Sequence, residues 1–302
     1  MFTSRRAAAG TALCFVALTA SAQAGVSTRL ELDGRPISQL LEQSEQRISG
    51  ATAPARRRSA LGRVTRSRDG TPRSLLLAAS GRAGRPLQLE LRPLGHDEQI
   101  DYPRGAAFRE PEPGLFYVDL DRVSDADFEA ALARGIIFDL RGYPGGVSPL
   151  SVLPHLITER AVSAQFGTPE PAQPNRTQTS FSRRGEWKLD PAPEHLSAPC
   201  VFLSGSAAIS EAESWLRVVK HHRIGTIVGA ARAGTNGDAC SIELPGGDCM
   251  TWTGMRVLKH DGSRHHGVGI QPDVPATRTR AGVAAGRDEV LETGLEVLRE
   301  AR

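Results

Sequence analysis

The sequence predicts an α/β fold, with a core over residues 112–302 preceded by a small β-rich domain over residues 25–95. Three observations carry this. With 302 residues, 39% of them hydrophobic and 24% charged, the chain is long enough to bury one large core and one small one. From Leu115 onward, short apolar runs alternate with helical patterns, the order expected of strands joined by crossing helices. No internal repeat is present, which argues against a solenoid or propeller.

"TRLELDGRPISQLLEQSEQRI" gives an alternating strand, a turn at Asp33-Gly34, and a helix with Ile37, Leu40, Leu41 and Ile48 on one face. "SLLLAAS", "LQLELRP" and "LFYVDLDRV" follow as strands, and "SDADFEAALARG" as a helix capped by Ser124 and stopped at Gly135. "IIFDLRGYPGG" is a buried strand running into a glycine turn. Residues 159–199, rich in Pro, Gln, Ser, Thr and Arg, read as a long excursion, either a lid over a site or a surface loop. Regular structure resumes with "CVFLSG", a helix from Ser210 to about His222, the strand "GTIVGA", the hairpin "SIELPGGDCMTWTGMRVL" and a terminal amphipathic helix.

The first 24 residues read as a secretory signal: "TSRR" is the positive region, "AAAGTALCFVALTA" the apolar region, and Ala22-Gln23-Ala24 a small-x-small cleavage site. A periplasmic or secreted product with no stable membrane anchor after cleavage is expected; a retained N-terminal anchor is the alternative. Cys200, Cys240 and Cys249 then remain, with Cys240 and Cys249 as the candidate pair across a hairpin. No cofactor is expected, and no Cys or His spacing reads as a metal site, the adjacent His265 and His266 being a weak signal. Net charge is +3, and of 37 basic residues only Lys188, Lys220 and Lys259 are lysine. The arginine-rich stretch Arg56 to Arg73 is read as a solvated helix face, because no aromatic interleaving accompanies it, so no nucleic-acid partner is expected. Binding of that stretch to an anionic surface is the alternative.

Ser210 and Glu213 spell the S-x-x-E capping box, in which each side chain satisfies an orphan backbone donor at a helix start. The same serine is a candidate nucleophile, since a hydroxyl oxygen at the positive end of a helix is favoured as it develops negative charge.

Three stretches in order resemble the carboxyl-terminal processing (tail-specific) serine peptidases, the family that also includes the tricorn protease core. They are "GIIFDLRGYPGG", "LSGSAAISEAES", and "GTIVGAARAGTNG" followed by "LPGG", "DGS" and "GVGIQPDV". The resemblance implies a crotonase-like core, peptide or protein substrates, Ser210 as nucleophile and Glu213 as its accompanying glutamate. It also implies an oxyanion hole from the backbone N–H groups of Gly145, Gly146 and Glu211. "RLELDGRPI" and "RPLQLELRP" resemble the second half of a PDZ domain, so the N-terminal domain is expected to be partial and PDZ-like.

The general base departs from the family pattern, because Thr235 stands where processing peptidases carry a lysine. Lys220 lies too far along the same helix to replace it, and Lys188 and Lys259 have no motif support. Asp119 occupies the place of the histidine used by tricorn-type relatives, and His221, His222, His265 and His266 have a suitable intrinsic pKa. Arg264, His265 and His266 form a further candidate group for holding a peptide carboxylate. The expectation is an exported serine peptidase with a non-lysine base; the alternative is a catalytically silent relative that binds extended peptide or an apolar ligand in the same cleft.

Overall fold

The computed structural model describes residues 28–48, 52–65, 71–79, 87–91, 105–123, 134–171, 173, 175, 178–205, 209–246 and 249–301. The signal-peptide reading and most of the helix expected after Ser124 lie outside these residues. The chain divides into two units, one built mainly from residues 1–49 and 56–104, the other mainly from 105–277 and 290–302.

In the first unit, β1 (Thr28–Leu32) turns through Asp33-Gly34 into β2 (Arg35–Pro36) and α1 (Ile37–Glu45). Then come α2 (Ala53–Val64), β3 (Arg73–Ala79) and β4 (Leu87–Leu91), with the strands ordered β2-β1-β3-β4, all antiparallel. Leu32, Ile37, Leu41, Ala60, Val64 and Leu75 form its core. Asp33 fixes the turn: its carboxylate accepts from Ser74 N–H and Arg73 Nε, which together hold its pKa below the ordinary value although its partial desolvation acts the other way.

The second unit is built on a six-stranded sheet ordered β17-β13-β12-β7-β6-β5. Its strands are β5 (Phe108–Glu112), β6 (Leu115–Asp119), β7 (Gly135–Asp139), β12 (Cys200–Ser204), β13 (Thr226–Gly229) and β17 (Val274–Pro275). All neighbours are parallel except β5 and β6. Every residue of β7 and β12 is buried, as central strands of a parallel sheet covered on both faces must be. Alternation then sorts the side chains. Ile136, Phe138 and Phe202 join Trp215, Leu216 and Val219 on one face, while Ile137, Val201 and Leu203 join Leu291, Leu295 and Leu298 on the other. Two short helices, α3 (Pro149–Val152) and α5 (Arg280–Ala284), also occur in the chain, and the helices covering the sheet are α4 (Glu211–His222) and α6 (Glu289–Glu300).

Residues 159–199 are not a structureless loop. They carry β8 (Ala161–Val162), β9 (Phe166–Pro171), β10 (Thr179–Arg184) and β11 (Lys188–Leu189). β10 and β9 pair with β16 (Arg256–Val257), and β11 pairs with β8. The sequence reading gave weight to the polar and proline content and missed the anchors: Ala161 and Leu189 are buried, Trp187 packs on the core, and Arg256 lies 3.7 Å over the Phe181 ring. The hairpin β14 (Ala239–Glu243) and β15 (Cys249–Thr253) forms as expected, but Cys240 faces Trp252 and Cys249 faces Glu243. The two thiols are out of register and unbridged, and Cys200 is free and buried.

Candidate active site

Because β6, β7, β12 and β13 are parallel, their C-terminal ends open at one sheet edge, where α/β sheets place their ligand sites. The segments leaving those ends are stitched together. Leu140 N–H donates to the Leu203 carbonyl (3.1 Å) and Ala230 N–H to the Ser204 carbonyl (3.2 Å). Arg232 Nη2 donates to the Leu140 carbonyl (2.7 Å). Gly229, at φ 132°, lets β13 end against β12; a Cβ there would fall 2.2 Å from the Ser204 carbonyl oxygen.

Ser210 sits at the start of α4 with φ 55° and ψ −113°, a backbone state that non-glycine residues rarely adopt and that costs about 1–3 kcal/mol. Three backbone bonds hold it there: its N–H donates to the Thr235 carbonyl (2.8 Å), and its carbonyl accepts from Glu213 (3.0 Å) and Ser214 (3.1 Å). The capping-box expectation fails, because the Ser210 side chain makes no capping hydrogen bond and its N–H is taken by Thr235 rather than Glu213. The twisted backbone at the cap carries the serine oxygen away from the donors it would have satisfied. Among the described residues, no side chain hydrogen-bonds this hydroxyl. The result is a strained serine at a helix start, at the positive end of the α4 dipole.

Glu213, released from capping, is fully buried and ties three segments together. Its Oε1 accepts from Gly234 N–H (2.7 Å) and Thr235 N–H (3.3 Å), and its Oε2 lies in short contact with His265 Nε2. His265 is also fully buried, and its Nδ1 has no partner. Donation from Nε2 to the carboxylate leaves the lone pair on Nδ1. Thr235, the residue in the lysine's place, thus supplies backbone rather than a base.

The glycine turn is braced by the "DLR" residues before it. Asp139 is buried and accepts from Arg141 Nη2 (2.6 Å), Arg141 N–H (2.9 Å) and Tyr117 Oη (2.7 Å). Burial would raise its pKa, but the Arg141 guanidinium and the Tyr117 hydroxyl outweigh that and hold it below the ordinary value. Burial and the Asp139 charge push the Tyr117 hydroxyl well above its ordinary pKa. Arg141 also packs beside Gly205, whose Cβ position lies 3.4 Å from the arginine stem, so one side chain braces both the turn and the segment leading to Ser210. The backbone N–H groups of Gly145, Gly146 and Glu211 have no acceptor among the described residues.

Asp119 ends β6 at this edge, fully buried, but its carboxylate is engaged: Arg122 Nε donates to it at 2.7 Å and Asp121 N–H at 3.1 Å. Arg264 and His266 are exposed while His265 between them is buried, so the three do not gather into one group. His221 and His222 lie at the far end of α4, and Lys220 pairs with Asp273. The sequence named Glu213 and His265 separately. Their pairing across 52 positions had no local signal.

Residues 121–276 match the model of peptidase family S41. The chain belongs to peptidase family S41. Among solved structures, mature CPAF is similar over 91% of this chain and 76% of its own, at 14% identity and a TM-score of 0.63. A putative peptidase from Parabacteroides merdae is similar over 86% and 88%, at 18% identity and a TM-score of 0.51. At these identities the likeness concerns the fold, a mixed α/β arrangement like that of S41 peptidases. No curated protein matches the sequence. Among the described residues, no helix is long and apolar enough to cross a membrane.

Proposed function

We propose that this S41 member is an exported serine peptidase acting on peptide or protein substrates, with Ser210 as nucleophile and His265, oriented by Glu213, as general base. One observation carries the reading: a strained serine with an unbonded hydroxyl stands three residues before a buried glutamate that grips a buried imidazole with one unpartnered nitrogen. In the reaction, Ser210 Oγ bonds to the substrate carbonyl carbon and its proton passes to His265 Nδ1. Glu213 stabilises the imidazolium, and the amides of Gly145, Gly146 and Glu211 hold the oxyanion. The proton then goes to the leaving amine as the C–N bond breaks, and water repeats the sequence to free the acyl group.

His265 is preferred to Asp119 because the Asp119 carboxylate is already taken up by Arg122 Nε and the Asp121 N–H. The hydroxyl and Nδ1 approach each other in this reading only when substrate is bound, as unliganded sites are often loose. Export rests on the leader pattern of residues 1–24. A crotonase-like core is supported by the helix-covered parallel sheet, and a partial PDZ-like unit by the β1–β4 sheet with α1.

The test is a fluorophosphonate probe on folded, leader-free protein. Labelling at Ser210 that vanishes in S210A and falls at least 100-fold in H265A is expected. Absence of labelling in protein that melts cooperatively would favour the silent, ligand-binding relative, for which Thr235 in the lysine's place speaks.

A further inference from the structure

The far end of α4 holds a second cluster with no part in that chemistry. His221 and His222 form the last turn of the helix, and His260 sits in the turn after β16. One ligand nitrogen from each ring lies within 4.8 Å of the others. We propose that these three histidines form a binding site for a divalent transition-metal ion of the zinc, nickel and copper class.

Three features support this. His222 Nε2 lies 3.1 Å from the Val162 N–H and 3.0 Å from its carbonyl, and His260 Nε2 lies 2.9 Å from the same carbonyl, so the backbone of one residue orients two of the three rings. Metal-bound imidazoles are oriented by this kind of outer partner. The third ring, His221, is exposed and stacks on His260 with centroids 3.9 Å apart and planes 4° from parallel. Parallel rings cannot aim lone pairs at one ion, so His221 must swing about its own side-chain torsions; its exposure and the broad χ2 of histidine allow that. Next, the ion would sit at the negative end of the α4 dipole, which favours a cation.

Of the basic side chains nearby, Arg217 donates through Nη1 to the Leu258 carbonyl (3.0 Å) and Arg256 lies over Phe181. Finally, His221 and His260 line a cavity of about 420 Å³, together with Ser163, Glu186 and Lys259, which gives an ion a way in and an open fourth position. An all-imidazole donor set selects against Mg²⁺ and Ca²⁺.

An occupied site would clip the helix end to β8 and to the 259–262 turn, roughly 16 Å from Ser210 along the helix axis. The experiment is calorimetric titration of the EDTA-treated, leader-free chain with ZnCl₂ and, separately, MgCl₂, repeated with H221A, H260A and an H195A control outside the cluster. One Zn²⁺ per chain is expected, with no Mg²⁺ uptake, a higher Tm when loaded, at least tenfold weaker binding in H221A and H260A, and none of this loss in H195A. Co²⁺ loading should give visible d–d bands without thiolate charge-transfer absorption. No Zn²⁺ uptake at 100-fold excess, binding unchanged in both histidine variants, or a cobalt–thiolate band pointing to Cys240 or Cys249 would overturn the site. Because folded H221A retains Ser210, its fluorophosphonate labelling reads the peptidase proposal separately.

Discussion

Glu213 Oε2 is in short contact with His265 Nε2, both side chains are fully shielded from solvent, and the opposite imidazole nitrogen is buried without a hydrogen-bond partner. A carboxylate in this position holds the tautomer and steadies the positive charge that a general base acquires. The same contact is a buried pair whose loss leaves unpaired groups.

The two roles separate in E213Q and E213A. The glutamine still accepts from Gly234 and Thr235, so E213Q should melt within about 1 kcal/mol of the parent while Ser210 labelling falls by one to three orders of magnitude. E213A strands two amides and an imidazole and should lose about 3 kcal/mol in urea unfolding. Full labelling of E213Q would remove the glutamate from the reaction.

Strain at Ser210 sets the stability order of its small variants. At φ 55°, alanine keeps the penalty and glycine does not, so S210G should be about 1 kcal/mol more stable than S210A, in the same direction as the ordinary preference for glycine over alanine at an N-cap. Both should be unlabelled by the probe. Thermal melts of the two variants decide the point.

Asp139 should be felt in the acid range only. Its folded pKa lies below its unfolded one, so its contribution is complete above the unfolded value near 3.8 and is lost as pH falls through the lower, folded value. D139N, which removes the charge that Arg141 Nη2 pairs with at 2.6 Å, should cost about 3 kcal/mol, constant from pH 8 to 5 and shrinking below about pH 4. Urea melts across that range measure it; a difference already fading at pH 6 would contradict the assignment.

Thiol chemistry should divide the cysteines. Burial pushes the Cys200 thiol up to about 12, while Cys240 and Cys249 are exposed and unbridged. Iodoacetamide on the native, leader-free protein should modify Cys240 and Cys249 within minutes and spare Cys200 until denaturant is added, read by peptide mass mapping.

Much of the core was legible because its signals are local. The buried runs of β7 and β12, the glycine turn and the amphipathic faces of α4 and α6 each fit within a dozen residues, and the family's motifs lie on them. What was not legible depends on contacts between distant segments. The S-x-x-E spacing looked like a cap because sequence shows neither the φ of Ser210 nor the amides of Gly234 and Thr235 that claim Glu213. Asp119 occupied a suggestive position, but its salt bridge to Arg122 belongs to the turn after β6 rather than to any motif. His260 is too far from His221 and His222 in the chain for any metal-ligand spacing to show.

The Glu213 carboxylate joins the start of α4 to residues 21 and 52 positions downstream. A growing polypeptide therefore has no such junction until the stretch containing His265 has been made and has folded back. Any fragment ending earlier carries the serine without its buried partner, so the timing of assembly is written into the order of the chain.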